Sequence, residues 1–312
     1  RPLSDHLVAG VESYAPLMAK APGVFNFFLK QPWATSFSKT HIGMVDLPLL
    51  SSPTLKQQLS GHPAMNMTLE QLEALSETQR AQKVLVVQDP FTSFYEAKLV
   101  HDFIRLIEKL GYQPVLLPFS PNGKAQHVKG FLQRFARTAS KTADFLNRVA
   151  KLGMPMVGID PATVLCYRDE YHQMLGEARG DFNVLLVHEW LHQALQEREV
   201  QVTSGEAWYL FAHCTEVTAL PGTPGQWQAI FSRFGAKLEN INVGCCGMAG
   251  TYGHESQNLE NSLGIYALSW HPQLQKLPRQ RCLATGFSCR SQVKRVEGNG
   301  MRHPLQALLE LI

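Results

Sequence analysis

The sequence predicts an α/β protein of two pseudo-repeated βαβ domains with mainly parallel sheets, preceded by a helical and extended N-terminal connector. Three observations lead there. From Lys83 onward, short apolar runs alternate with amphipathic stretches of helical period, as parallel strands joined by crossover helices require. The alternation occurs twice. The intervals between the turns that follow the strands also agree between the two copies.

Residues 1–82 lack strong strand signals. They carry helical patterns at 7–17 and 69–75, joined by the extended stretch Asp46-Leu47-Pro48-Leu49-Leu50-Ser51-Ser52-Pro53. This region is expected to be a connector packed on the main body. In the first repeat, 83–200, the apolar run 84–87 reads as a buried strand and 94–110 as a long amphipathic helix stopped by Gly111. Residues 114–118 return as strand, 131–152 form a second helix, 154–159 a third strand and 182–187 a fourth. The second repeat, 201–312, runs in the same order: strand at 207–212, helix at 225–234, strand at 238–243, helix at 256–277 and strand at 282–285.

Pro90 to Pro121 is 31 residues, and so is Cys214 to Cys245. Superposing these intervals sets Asp89-Pro90 on His213-Cys214 and Pro121-Asn122-Gly123 on Cys245-Cys246-Gly247. Thr163, closing Asp160-Pro161-Ala162-Thr163, lies 41 residues beyond Asn122, and Cys289 lies 43 beyond Cys246. Each copy thus places three turns at the carboxyl ends of strands, where open α/β sheets build their sites. Thiols stand at these turns only in the second copy. The first reads as a duplicate that has lost its metal and serves as a packing partner.

Composition narrows the function. With 29 basic and 26 acidic residues, the net charge is +3, which is no footprint for nucleic acid. No apolar run approaches the roughly 20 residues of a spanning helix. Arg1-Pro2-Leu3 is neither an initiator nor a signal-peptide start, so the chain is expected to begin inside a longer polypeptide. Six cysteines are too few for a disulfide scaffold of this length, which suits a reducing cytoplasm, including a peripheral seat on the inner membrane. Cys166 and Cys282 fall outside the repeat turns; Cys282 reads as a buried structural thiol and as a reserve ligand.

The thiols at 214, 245, 246 and 289 are therefore the candidate metal ligands. A bridge between neighbouring Cys245 and Cys246 would be strained, because adjacent Cα atoms are about 3.8 Å apart and a disulfide prefers roughly 4.4–6.8 Å. Four cysteine thiolates suit a [4Fe–4S]-type cluster, and flanking Gly247 and Gly250 leave room for backbone N–H groups to approach its sulfides. Zinc is the alternative metal, although its usual modules pair cysteines two to four residues apart.

At these residues the chain resembles the cysteine-rich CCG domain found in heterodisulfide reductase and in the iron–sulfur component of glycolate oxidase. Cys214 matches the first cysteine of that pattern, Cys245-Cys246-Gly247 the second element and Cys289 the last cysteine of a closing Cys-x-x-Cys. Gly286 stands where the first of that pair belongs, which leaves four ligands. The wider chain, including 19–26, 45–50, 251–255 and 286–292, is similar to the C-terminal third of bacterial FAD-linked oxidases of the D-2-hydroxyglutarate dehydrogenase type. The resemblance implies FAD and ferredoxin-like domains elsewhere in the same polypeptide and electron transfer to an unknown acceptor. It implies no catalytic residue within these 312.

Other features carry competing readings. His254, beside Glu255, and His213, beside Cys214, are candidates to tune a cluster, and Arg290 to offset thiolate charge; each can equally be an ordinary hydrogen-bonding or surface residue. His188-Glu189-Trp190-Leu191-His192 fits the H-E-x-x-H pattern, in which two histidines share a helix face and the glutamate polarises a zinc-bound water. That makes a zinc hydrolase the enzymatic alternative; otherwise Trp190 and Leu191 pack inward and the histidines are solvated. A third reading is a structural docking platform with vestigial thiols.

Overall fold

The structure is a computed structural model describing residues 1–65, 67–196 and 207–312. The expected boundary between the repeats, at 200/201, lies outside the described residues.

Strands β1 (Lys83–Val87), β2 (Gln113–Leu116), β3 (Met156–Gly158) and β4 (Val184–Leu186) form one sheet in the order β2-β1-β3-β4. Strands β5 (Trp208–Phe211), β6 (Leu238–Asn240) and β7 (Cys282–Ala284) form a second, in the order β6-β5-β7. Every pairing in both sheets is parallel, with Val84 opposite Pro114 and Tyr209 opposite both Glu239 and Cys282. The first three strands of each copy thus take the same spatial order, as an ancestral duplication requires. The expected parallel α/β class is borne out.

The chain divides into two compact units, one of residues 1–8, 21–49 and 191–312 and the other of 9–20 and 50–190, so the first 82 residues enter both. In the 9–20/50–190 unit, the fully buried strand Lys83–Val87 lies at the centre, and Phe103 meets Trp190 edge-to-face at 5.9 Å. The cysteine-bearing unit has a core of Phe211, Tyr266, Trp270, Leu274 and Val293 that also takes in Cys246, Cys282 and Cys289.

Local chemistry sets the element ends. Thr54, Thr68 and Ser76 each start a helix with a reciprocal capping box to the glutamine three residues on. The helix expected over 94–110 is two, Pro90–Tyr95 and Ala97–Lys109. It breaks at Glu96 because the Ala97 N–H is taken by Ser51 Oγ at 2.9 Å. The pattern at 7–17 likewise divides at Gly10 into Leu3–Ala9 and Val11–Met18. Two further helices, Pro22–Leu29 and Pro32–Phe37, arise where no helical pattern was expected, each with proline in its first turn. Among the described residues, no helix is long and apolar enough to cross a membrane.

Candidate metal centre

The three turns of the second copy bring their thiols to helix starts and to one glycine-rich loop. Cys214 is the first residue of helix Cys214–Ala219, which follows β5 after His213. Cys289 is the third residue of helix Phe287–Glu297, which follows β7 after Gly286. Between them, the loop 244–250 rests on helix Leu259–Leu274: Trp270 Nε1 donates to Gly244 O at 2.9 Å, and the Gly244 N–H donates to Ser269 Oγ at 3.2 Å.

Within that loop Gly247 has φ +87°, and a Cβ there would fall 2.2 Å from Ser262 O. Only glycine fits, on backbone conformation and on space alike. Gln292 holds the opposing carbonyl in place, its Nε2 donating to Ser262 Oγ at 3.0 Å and to Ser262 O at 3.3 Å. The loop is thus pinned between two helices, with Cys245 half-buried and Cys246 buried in the core.

All four sulfurs are free thiols, Cys214 exposed, Cys245 half-buried, Cys246 and Cys289 buried. The four interact electrostatically: Cys214 with Cys245 and Cys289, Cys245 with Cys246, and Cys246 with Cys289. Cys245 is the acceptor in the middle. Hydrogen bonds from Cys214 and then Cys246 hold it far below the ordinary thiol range, against burial, and the N–H groups of Gly247 (3.4 Å) and Ala249 add to this. Cys214 is pushed up, first by its bond to Cys245 and then by burial. Cys246 is pushed up by its bonds to Cys245 and Cys289, and then by burial. One thiolate supported by neutral thiols is what close packing of four such groups favours.

Among the described residues, no three or more His, Cys, Asp or Glu side chains form a group that could hold a metal ion. The donors present, four unbridged thiols at three turns with the Gly247 N–H beside Cys245, are of the type that thiolate-bound clusters use.

The remaining candidates fall in different places. Gly250 is exposed at φ +68° on the outer side of the loop. The Nδ1 of His254 lies 3.1 Å from Val45 O and 3.1 Å from the Arg295 guanidinium, and burial, then Arg295, pushes its pKa down. These contacts tie the 43–46 segment to the cysteine-bearing repeat. Arg290 is no surface residue: it is buried and donates to Ala284 O at 3.0 Å and Thr285 O at 2.8 Å, closing the end of β7. Cys282 is buried in the core, its S–H directed at Pro278 O.

His213 explains the glycine at 286. A Cβ on Gly286 would lie 2.3 Å from His213 Cδ2 and 2.9 Å from its Cγ, so the imidazole fills the volume a side chain at 286 would need. The ring is fixed from its backbone, whose N–H donates to Thr285 Oγ1 at 2.9 Å; Thr285 Oγ1 in turn donates to buried Glu216 at 2.5 Å. Neither Thr285 nor Glu216 stood out in the sequence, since a lone threonine and glutamate carry no pattern.

The H-E-x-x-H helix, Val187–Ala194, uses its glutamate structurally. Glu189 accepts from Arg168 at 2.9 and 2.5 Å and from the Leu186 N–H at 2.7 Å, which places it as the third helical residue reaching back over the helix start. Burial alone would raise its pKa; the Arg168 hydrogen bond and the Leu186 N–H outweigh that and hold it below the usual carboxylate range. His188 is buried, not solvated as the sequence suggested.

In the first copy the equivalent turns hold carboxylates. Asp89 and Asp160 cap the helices that follow β1 and β3. At the middle turn the N–H groups of Asn122 and Gly123 both donate, at 2.7 Å each, to the buried carboxylate of Glu12, from helix Val11–Met18. A side chain from 110 residues away thus covers the backbone donors that correspond to Cys246 and Gly247.

Fold and thiols together define a duplicated βαβ protein with a cysteine cluster at the strand ends of one copy. Along its whole length the chain is 73% identical to D-2-hydroxyglutarate dehydrogenase of Escherichia coli and 52% identical to that of Haemophilus influenzae. It is 42% identical, over 99% of its length, to the Pseudomonas putida enzyme of the same name. It spans 30–31% of the length of these relatives. The chain is therefore a homologue of one part of bacterial D-2-hydroxyglutarate dehydrogenases, as the sequence resemblance implied. No family model matches it. A crystal structure of a hypothetical protein from Helicobacter pylori superposes on 88% of this chain and 51% of its own, with a TM-score of 0.44 at 10% identity, a likeness too slight to bear on function.

Proposed function

We propose that the chain is the electron-output part of an FAD-dependent 2-hydroxy-acid dehydrogenase acting on D-2-hydroxyglutarate or a close relative. Cys214, Cys245, Cys246 and Cys289 would hold an iron–sulfur cluster, which when bound supplies one-electron transfer. The observation that carries this reading is the placement of four unbridged thiols, from exposed Cys214 to buried Cys289, at the three turns that follow β5, β6 and β7. Homology to one part of the dehydrogenases supports it, since relatives more than three times as long have room for flavin and ferredoxin-like domains.

The chain's own residues have separable tasks. Gly247 lets the loop that carries Cys245 and Cys246 approach helix Leu259–Leu274 closely. Its N–H, with that of Ala249, steadies negative charge on sulfur. Buried Cys246 and Cys289 exclude water on one side, and exposed Cys214 leaves the other open to a redox partner.

Anaerobic reductive titration of the full-length polypeptide tests the reading. The Cys246→Ser variant is expected to take up fewer electrons per flavin than the wild type while its flavin is still reduced by the 2-hydroxy acid. Equal electron counts would refute the redox assignment.

A further inference from the structure

We propose that the aromatic face of helices Pro22–Leu29 and Pro32–Phe37 is the surface on which the rest of the longer polypeptide docks against the cysteine-bearing unit. Neither helix buries a single residue. Val24, Phe25, Phe27, Phe28, Trp33 and Phe37 are all exposed, Phe27 and Trp33 to 62% each. Phe27 meets Phe28 edge-to-face at 5.6 Å and Phe28 meets Trp33 at 6.5 Å, so these three rings form a patch across both helices. Soluble proteins rarely leave a contiguous aromatic surface to water, and such faces are what interface cores are made of.

Two observations identify the occupant. The relatives are more than three times as long as this chain, so about two thirds of the polypeptide lies outside it. The segment 21–45 also contains no acidic residue and carries exposed Lys30 and Lys39, so the complementary surface is apolar with an acidic rim. The proposal rests on the reading of the chain as part of a longer redox polypeptide, and not on the iron–sulfur assignment.

The location gives the docking a purpose. The segment 21–49 belongs to the same compact unit as the thiols. It is fastened beside the loop that follows Gly250: the Val45 N–H donates to His254 O at 2.7 Å, the Ser256 N–H to Gly43 O at 2.8 Å, and Arg295 pairs with Asp46 at 2.7 Å. Arg295 also donates to Gly253 O at 2.7 Å. A domain seated on the aromatic face is therefore held to the same compact unit as the cysteine loop, through the segment 43–46 that follows these helices.

Hydrogen exchange and zero-length carbodiimide cross-linking on the full-length polypeptide test this. Amides of 22–37 are expected to exchange at least tenfold faster in a Phe27→Asp/Trp33→Asp variant than in the wild type, with β5 and β7 unchanged. Lys30 or Lys39 is expected to cross-link, within one polypeptide, to carboxylates outside the 312 residues. Equal, fast exchange in wild type and variant would overturn the proposal. So would cross-links found only between two copies, or protection that appears only on adding phosphatidylglycerol vesicles. Repeating the exchange in Cys245→Ser/Cys246→Ser separates the two readings: protection retained there upholds docking whatever the thiols bind, and protection lost with the thiols overturns it.

Discussion

The clearest local consequence of the fold is the exchange of volume between Gly286 and His213. A methyl group at 286 would meet His213 at 2.3 Å (Cδ2), 2.9 Å (Cγ) and 3.2 Å (Cβ), against about 3.5–4.0 Å for carbon atoms in contact, so the imidazole would have to retreat by more than about 1 Å. It has little freedom to do so, because its backbone N–H is bound to Thr285 and the contact involves the root of the side chain as well as its tip. Gly286 has φ −86°, so alanine there brings no backbone strain, and the whole penalty is overpacking. Gly286→Ala is expected to cost about 2–3 kcal/mol, in the upper range for such insertions. In a His213→Ala background the same change should cost less than about 0.5 kcal/mol, a coupling of about 2 kcal/mol between the two sites. Native-state hydrogen exchange at the β5 and β7 amides reports these free energies for the unit concerned. Should Gly286→Ala cost as much without the imidazole as with it, the explanation for glycine in this turn is wrong.

Other outcomes follow from the same geometry. Gly247→Ala combines left-handed backbone with a 2.2 Å approach to Ser262 O and is expected to cost at least about 3 kcal/mol. Gly298→Ala, at φ +78° with nothing within 4 Å, is expected to cost about 1–2 kcal/mol; equal values in thermal or exchange assays would discount the close approach. Burial pushes Glu12 up from 4.5 to about 7, against the N–H bonds of Asn122 and Gly123. The stability tied to its proton is thus full below pH 4.5 and is lost as pH rises through about 7, by about 3 kcal/mol from 2.5 pKa units at 1.36 each. Exchange of β1 amides at pH 5 and pH 8 should show that slope in the wild type and lose it in Glu12→Gln; an unchanged slope would count against the burial argument. Glu189→Ala is expected to weaken the helix at Val187–Ala194 by about 1–2 kcal/mol and to leave bound metal unaltered. Metal lost with Glu189 would restore the hydrolase reading.

What the sequence conveyed was periodic or local. Apolar runs such as 84–87 became β1, and the matched 31-residue intervals became matched sheet orders. Features set by distant packing were silent. Glu12 covering Asn122 and Gly123, or Ser51 interrupting the helix at Glu96, involves partners 46 to 111 residues away. Helices Pro22–Leu29 and Pro32–Phe37 were missed because periodicity registers a buried stripe, and here the apolar side chains face outward. At the thiols, spacing singled out the four cysteines, while the hydrogen bonds of Thr285, Glu216 and Gln292 carry no sequence pattern. His254 stood out by its position in the sequence, and its contacts with Val45 and Arg295 were not legible there.

The decisive measurement is iron and acid-labile sulfide content, with paramagnetic resonance of the reduced state, on full-length protein prepared without oxygen. Iron and sulfide in comparable amounts, with a signal that Cys246→Ser removes or alters, are the expected result. Protein free of both, or a signal untouched by replacing Cys214, Cys245, Cys246 and Cys289 together, would contradict the assignment of these thiols to electron transfer.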